Sequence, residues 1–290
     1  MADVTNILTF DVEEWFQVYN LWEAIPRSEW EGCPSRLENQ VAKLLDILDR
    51  RNCRATFFVL GWVARHRPGV VKEIARRGDE IACHGLNHDL VTDMTPERFR
   101  RETAAATELL EDLTGVKVRG YRASNFSIQR GNLWALEVLA ELGFAYDSSV
   151  YPVVRGRYGI PGFPRGPVRL ILPSGATLLE FPPPTMRFLG ATVPVAGGGY
   201  FRFFPYRVTR GALTRLNRAG APAVVYLHPW EIDPGQPRVK GGGILKRWMH
   251  YCNLSRTEGR LERLLEDFRF GSVEEALEGM TGEPPDFRVE

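Results

Sequence analysis

Ala55-Thr-Phe-Phe-Val-Leu60 reads as a buried strand, Pro68 to Gly78 as a helix, and Glu80-Ile-Ala-Cys83 as the next strand. The helix opens on a proline and closes on a glycine suited to its C′ position. Strand, helix, strand is the unit of a parallel α/β sheet, and the same rhythm runs along the chain. Upstream, Asn6-Ile-Leu-Thr-Phe-Asp11 is strand-like. Ser35 to Glu38 forms a capping box before a helix with apolar positions Leu37, Val41, Leu44, Leu45 and Leu48.

Downstream, Thr95-Pro96 starts a long helix that stops near Gly115, with threonine as N-cap. Val116 to Tyr121 is strand-like, Asn132 to Leu142 helical, and Phe144-Ala-Tyr146 a short strand. Leu178-Leu-Glu-Phe181 is a strand cut by Pro182, Pro183 and Pro184. Tyr206 to Ala219 is helical, and Ala223 to Leu227 is the last clear strand. Capping boxes at Ser255–Glu258 and Ser272–Glu275 mark C-terminal helices. About seven parallel strands alternating with helices are expected, in a single domain over residues 1–290 with a C-terminal helical extension. The Gly- and Pro-rich stretch from Val153 to Arg202 is expected to be a surface insertion.

The chain has 290 residues, 44% hydrophobic and 25% charged, which suits a globular protein with a substantial core. A formal net charge of +1 favours neither nucleic acid nor an anionic membrane nor a strongly acidic ligand. Cys33, Cys53, Cys83 and Cys252 form no CxxC pair, so free thiols are expected. The opening Met-Ala-Asp-Val-Thr has no basic n-region or long apolar core, and no stretch reaches the roughly 20 apolar residues of a membrane helix. The expected location is cytoplasmic, without an integral membrane segment.

Asp11, His84, Arg122, Asp147 and His228 fall at or just past the C-terminal ends of expected strands. Barrels and open parallel sheets both carry their sites there. No GxGxxG follows the first strand and no P-loop is present. His84 and His88, four residues apart, would lie on one face if the segment were helical, and could then hold one metal ion. In Thr9-Phe-Asp-Val-Glu-Glu14, strand alternation turns Asp11 and Glu13 to one face and Glu14 to the other. One acid can then ligate a metal while the other serves as base. Arg122 can hold a carboxylate by a bidentate pair. His228, fixed before Pro229, can donate a proton. Each feature alone also suits a solvated surface or a satisfied core; the four together are far more specific.

Together these motifs resemble the NodB-type polysaccharide deacetylases, a carbohydrate esterase family, in the branch found with bacterial exopolysaccharide and exosortase loci. The resemblance runs from Thr9 to Phe16, through His84 to His88 and Tyr121-Arg-Ala, to Tyr146-Asp-Ser-Ser149 and His228-Pro-Trp-Glu231. Gly197 to Arg202 also looks like that branch. It implies a distorted (β/α) barrel and a divalent metal, usually zinc. It implies Asp11 as base, Arg122 as its orienter, His228 as general acid, and His84 and His88 as metal ligands. Val12 stands where the family's second aspartate is common, so the acid ligand maps to Glu13, with Glu14 as the alternative. Ser124 replaces a usual proline. Tyr121, Asp147 and Trp230 are candidate substrate contacts.

The implied reaction removes N-acetyl groups from amino sugars of a polysaccharide, an oligosaccharide or a precursor. A backbone N–H near Tyr121 or Arg122 is a candidate oxyanion donor. A cytoplasmic enzyme would act on lipid-linked or nucleotide-linked sugars at the inner membrane face. Trp15, Phe16, Tyr200, Phe201, Trp230 and Trp248 are candidates for a sugar cleft and equally for core packing. The competing readings are an amidohydrolase on a small nitrogenous substrate and a catalytically silent carbohydrate-binding protein.

Overall fold

The computed structural model describes residues 4–154, 158–188, 190–280 and 282–290. Its strands are β1 (Asn6–Val12), β2 (Thr56–Val59), β3 (Glu80–Cys83), β4 (Gly120–Tyr121), β5 (Tyr146–Asp147), β6 (Val168–Ile171), β7 (Thr177–Glu180), β8 (Thr185–Phe188), β9 (Ala191–Pro194), β10 (Val224–Leu227), β11 (Phe270–Gly271) and β12 (Asp286–Arg288). Its helices are α1 (Leu37–Arg50), α2 (Gly61–His66), α3 (Pro68–Arg76), α4 (Pro96–Thr114), α5 (Trp134–Glu141), α6 (Gly198–Phe203), α7 (Tyr206–Arg218), α8 (Ile244–Tyr251), α9 (Leu254–Asp267) and α10 (Val273–Glu278).

One ten-stranded sheet runs β10-β1-β2-β3-β4-β5-β7-β6-β12, with β11 also paired to β1. The seven strands from β10 to β7 are mutually parallel, and only β6 lies antiparallel to its neighbour β7. Edge strands β10 and β12 do not pair among the described residues, so the sheet is a distorted, open (β/α) barrel. The pleat assigns side chains to two layers. Leu8, Phe10 and Val12 pack outward on the helices, as do Phe57, Val59, Ile81 and Cys83. Ile7, Phe58, Ala82, Tyr146 and Val224 fill the interior. Full burial of each large side chain is worth about 1.5–3 kcal/mol.

The interior is crowded at Gly120, where an added Cβ would lie 2.0 Å from the Tyr146 ring. The last residues are more than a helical extension. Val273 of α10 belongs to the interior cluster, while β11 and β12 join the sheet. The stretch from Val153 to Arg202 is likewise not a surface insertion throughout: β6 and β7 are sheet strands, and Phe163, Leu170 and Leu178 are core. β6, β8, β9, β11, β12 and α2 had no sequence signal strong enough to place them.

Local signals fared unevenly. Thr95 caps α4 as expected, accepting from Arg98 N at 3.2 Å, a contact worth about 1 kcal/mol. The Ser272–Glu275 capping box forms. Those at Ser35 and Ser255 do not: α1 is preceded by Arg36 and α9 by Asn253, neither with a side-chain cap. Ser35 instead donates its hydroxyl to Glu14, a tertiary partner that outcompetes the local one.

Candidate metal and proton-transfer site

Strand parity builds the site. Asp11 continues the inward positions of β1 and Glu13 follows two residues on. His84 follows Ala82, Arg122 follows Gly120, and His228 follows Tyr226. All five reach a cavity or its floor at the C-terminal ends of the parallel strands. That cavity has a volume of about 690 Å³, and Asp11, Glu13, His84, His88 and His228 line it.

His84 and His88 are not on a helix. Residues 84–90 form a loop in which Gly85 and His88 take left-handed backbone angles, φ 80° and 61°. The loop still brings the two rings to 5.6 Å. His84 Nδ1 lies 2.8 Å from the Arg122 carbonyl, which can only accept, so Nδ1 carries the proton and Nε2 keeps its lone pair. Burial lowers the His84 pKa to about 4, against the pull of Asp11 and Glu13, leaving a neutral imidazole.

Glu13, His84 and His88 are buried, with ligand atoms all within 4.8 Å of one another. Burial would raise the Glu13 pKa, but His88, His228 and His84 outweigh it and bring it to about 2. His88 Nε2 sits 2.7 Å from Glu13 Oε2, yet Glu13 Oε2 and His88 Nδ1 have no hydrogen-bond partner. Two neutral-capable imidazoles and an ionised carboxylate with unspent lone pairs fit a divalent cation. Glu14 turns the other way and accepts from Ser35 and from Arg36 N, beside α1. Val12 is fully buried in the outer layer. Cys83 also faces outward, and burial pushes its thiol up to about 11.

Arg122 is fully buried and reaches Asp11 Oδ1 at 2.7 Å, Thr9 Oγ1 at 2.8 Å and Ser148 Oγ at 2.8 Å. It therefore fixes one Asp11 oxygen and leaves Oδ2 toward the cavity, 3.8 Å from His228 Nε2. Its amide donates to the Cys83 carbonyl at 2.9 Å, so that N–H is not an oxyanion donor. Ser124 places its hydroxyl 3.4 Å from the His84 carbonyl, and the next residue, Asn125, lines the cavity in a left-handed conformation.

His228 Nδ1 is 3.0 Å from Glu231 Oε2, and Glu231 Oε1 accepts from Arg202 Nε at 2.6 Å. Burial disfavours the imidazolium, but Glu231, Glu13 and Asp11 prevail and raise the His228 pKa to about 9. The sequence motifs assign no role to Glu231 and Arg202; the i, i+3 spacing of His228 and Glu231 is the available signal.

Trp230 lines the cavity, donates to Glu13 Oε1 at 3.0 Å and stacks between His228 and His250. Tyr200 lines the cavity, while Trp15, Phe16 and Phe201 are core. Trp248 is exposed and stacks on the cavity residue Phe203. Two expected substrate contacts lie elsewhere. Tyr121 has the parity opposite to Arg122 and packs on Phe99 and Phe144 beneath α4. Asp147 has the parity opposite to Tyr146 and Ser148 and bonds Ser149 outside the cavity. Through Ser149 Oγ, which accepts from Ala123 N at 2.7 Å, it braces the segment after Arg122. His250 is buried behind Trp230 and bonds Gln236 at 2.7 Å.

Residues 8–146 match the family described as polysaccharide deacetylase, and residues 148–278 match one described as a domain of unknown function, DUF3473. A peptidoglycan-N-acetylglucosamine deacetylase of Bacillus cereus is 33% identical over 96 residues, covering 33% of this chain and 35% of that protein. A peptidoglycan deacetylase-like protein of Gibberella zeae is 34% identical over 112 residues, 38% of this chain and 32% of that protein. The aligned parts span 32% to 42% of the first curated relatives.

A Mycobacterium smegmatis structure provisionally assigned as a polysaccharide deacetylase superposes with a TM-score of 0.65 at 20% identity, covering 96% of this chain and 91% of that one. A family 4 carbohydrate esterase pseudoenzyme of Bacillus anthracis gives 0.50 at 12% identity, covering 99% and 71%. These likenesses establish the fold as the NodB type.

Proposed function

We propose, from the homology of residues 8–146 to the NodB-type polysaccharide deacetylase superfamily, that the chain is a metal-dependent hydrolase of N-acetylated amino sugars. Its substrate would be a polysaccharide or its precursor, of the kind made at bacterial exopolysaccharide loci. The observation that carries this reading is the buried Glu13–His84–His88 cluster standing beside two proton-transfer groups, Asp11 and His228.

Glu13, His84 and His88 would hold the cation, zinc by preference of two imidazoles and a carboxylate, and when bound it would polarise the acyl carbonyl and acidify water. Asp11 takes the proton of the attacking water on Oδ2 while Arg122 keeps Oδ1 fixed. Glu231 accepts from His228 Nδ1 and, with Glu13 and Asp11, raises the His228 pKa to about 9, so the ring is an imidazolium whose Nε2–H faces the cavity. It hands that proton to the departing nitrogen as the C–N bond breaks, giving acetate and a free amine. Trp230 fixes the Glu13 carboxylate. Tyr19, Tyr158, Tyr200 and Tyr226 give the cavity walls aromatic faces suited to sugar rings.

The two matched regions act here as one unit. Asp11, Glu13, His84, His88 and Arg122 come from the first, and Arg202, His228 and Glu231 from the second. Strand β1 pairs with β10 and β11 of the second region.

The test is metal content and acetate release, wild type beside His84→Ala/His88→Ala. One ion per chain, lost in the variant along with acetate release from N-acetylated oligosaccharides, supports the reading. A wild type that takes up neither zinc, cobalt nor nickel overturns it in favour of a silent carbohydrate-binding protein.

A further inference from the structure

We infer that helix α8 is a docking element for an anionic phospholipid surface, set on the rim of the cavity. Six large apolar side chains stand well exposed among the described residues, and three of them are on this short helix: Ile244 at 78%, Leu245 at 67% and Trp248 at 59%. Ile244, Leu245 and Trp248 fall within one stripe of the helix, roughly 100° wide. The opposite face is already used: α8 packs on Tyr19–Leu21, and Lys246 reaches Glu23 at 2.6 Å. Apart from the Trp248 ring, which stacks on Phe203, the exposed face is thus a separate surface from the one that packs on the fold.

Charge points to the occupant. From Pro234 to Thr257 the chain carries Arg238, Lys240, Arg247 and Arg256, besides the Lys246 that pairs with Glu23, and no acid. The near-zero net charge of the whole chain hides this local excess. Apolar side chains flanked by basic ones are the two signals that peripheral membrane binding requires, since neither suffices alone. Each Lys or Arg near an anionic bilayer adds roughly fivefold to partitioning. A second copy on the same face would set these like charges against each other. No helix among the described residues is long and apolar enough to cross a membrane, so the contact would be peripheral.

Position gives the contact a use. Met249 on α8 and Phe203, on which Trp248 stacks at 5.6 Å, both line the cavity. A bilayer held at α8 therefore lies beside the cavity mouth. In a part that rests on the proposed function, this selects acetylated sugars carried on a lipid.

The experiment is co-sedimentation of the full chain with phosphatidylcholine vesicles, with and without phosphatidylglycerol. Ile244→Ser/Leu245→Ser and Lys240→Glu/Arg247→Glu are compared, all with unchanged melting temperature. Binding is expected only with phosphatidylglycerol, weakened by salt, and reduced on the order of tenfold or more by either variant. A blue shift of tryptophan emission on binding should disappear in Trp248→Phe. His84→Ala/His88→Ala should bind vesicles like the wild type, so loss of the metal site and loss of docking are separable. Absence of binding at low salt overturns the inference, as does binding that Ile244→Ser/Leu245→Ser leaves intact. Concentration-dependent self-association abolished by that variant, without vesicle binding, would reassign the face to a protein contact and also overturn it.

Discussion

Glu231 holds the Nδ1 side of His228 at 3.0 Å while its other oxygen is clamped by buried Arg202. The imidazole is thereby fixed in orientation and kept protonated at Nε2, the atom that faces the cavity. Glu231→Gln retains an oxygen for the ring but not the charge. It should lower kcat by about 10–100-fold with little change in KM. With the carboxylate gone the His228 pKa falls from about 9, so the alkaline limb of the kcat profile should move to lower pH. A scaled-down profile with an unmoved limb would reduce Glu231 to a packing role. Glu231→Ala should also destabilise the fold by about 3–5 kcal/mol, because it strands the Arg202 charge.

Asp11 and Glu13 are neighbours on one face with separate duties, and substitution should part them. Asp11→Asn should cut kcat by about 10²–10⁴-fold while leaving metal content near the wild-type value. Glu13→Gln should lose both metal and activity. Loss of metal in Asp11→Asn would mean that Asp11 is a ligand and the proposed base lies elsewhere.

Arg122 serves Asp11 and Thr9 through Nη1 and Ser148 through Nη2 and Nε of one planar fork. A lysine cannot reproduce that geometry. Arg122→Lys should lower kcat by about 10–100-fold, with metal content retained, because the base is loosened rather than removed. Equal activity would show that Asp11 needs no orientation.

Much of this site was legible because a strand has a period of two. Once Asp11 faces inward, Glu13 must and Glu14 cannot. The same parity excludes Tyr121 as soon as Arg122 is placed inside, and excludes Asp147 once Tyr146 is. The His84–His88 loop was not legible. Its shape depends on left-handed angles at Gly85 and His88, and histidine carries no signal for that. Edge strand β12 pairs with β6 across more than a hundred residues, beyond any local pattern. Ser35 showed a valid capping motif and lost it to Glu14, a partner visible only in three dimensions. The charge excess around α8 was present in the sequence but averaged away in the net charge.

Asp147 and Glu180 are paired in register on β5 and β7, both fully buried on the outer side of the sheet. Burial first, then proximity of the second carboxyl, raises Glu180 well above its usual range, and burial raises Asp147 to about 6. The pair therefore favours holding a proton in the folded state. Folded pKa values above the unfolded values near 4 mean that the folded form binds protons more tightly. Stability from this pair is therefore complete below about pH 4 and is lost as pH rises through 6 and beyond. Glu180→Gln removes the second ionisation and leaves an amide that can donate to Asp147. The melting temperature of the wild type, measured against that of Glu180→Gln, should fall progressively as pH is raised from 5 to 9. Parallel curves for the two proteins would show that both carboxyls ionise freely and that the dyad stores no proton.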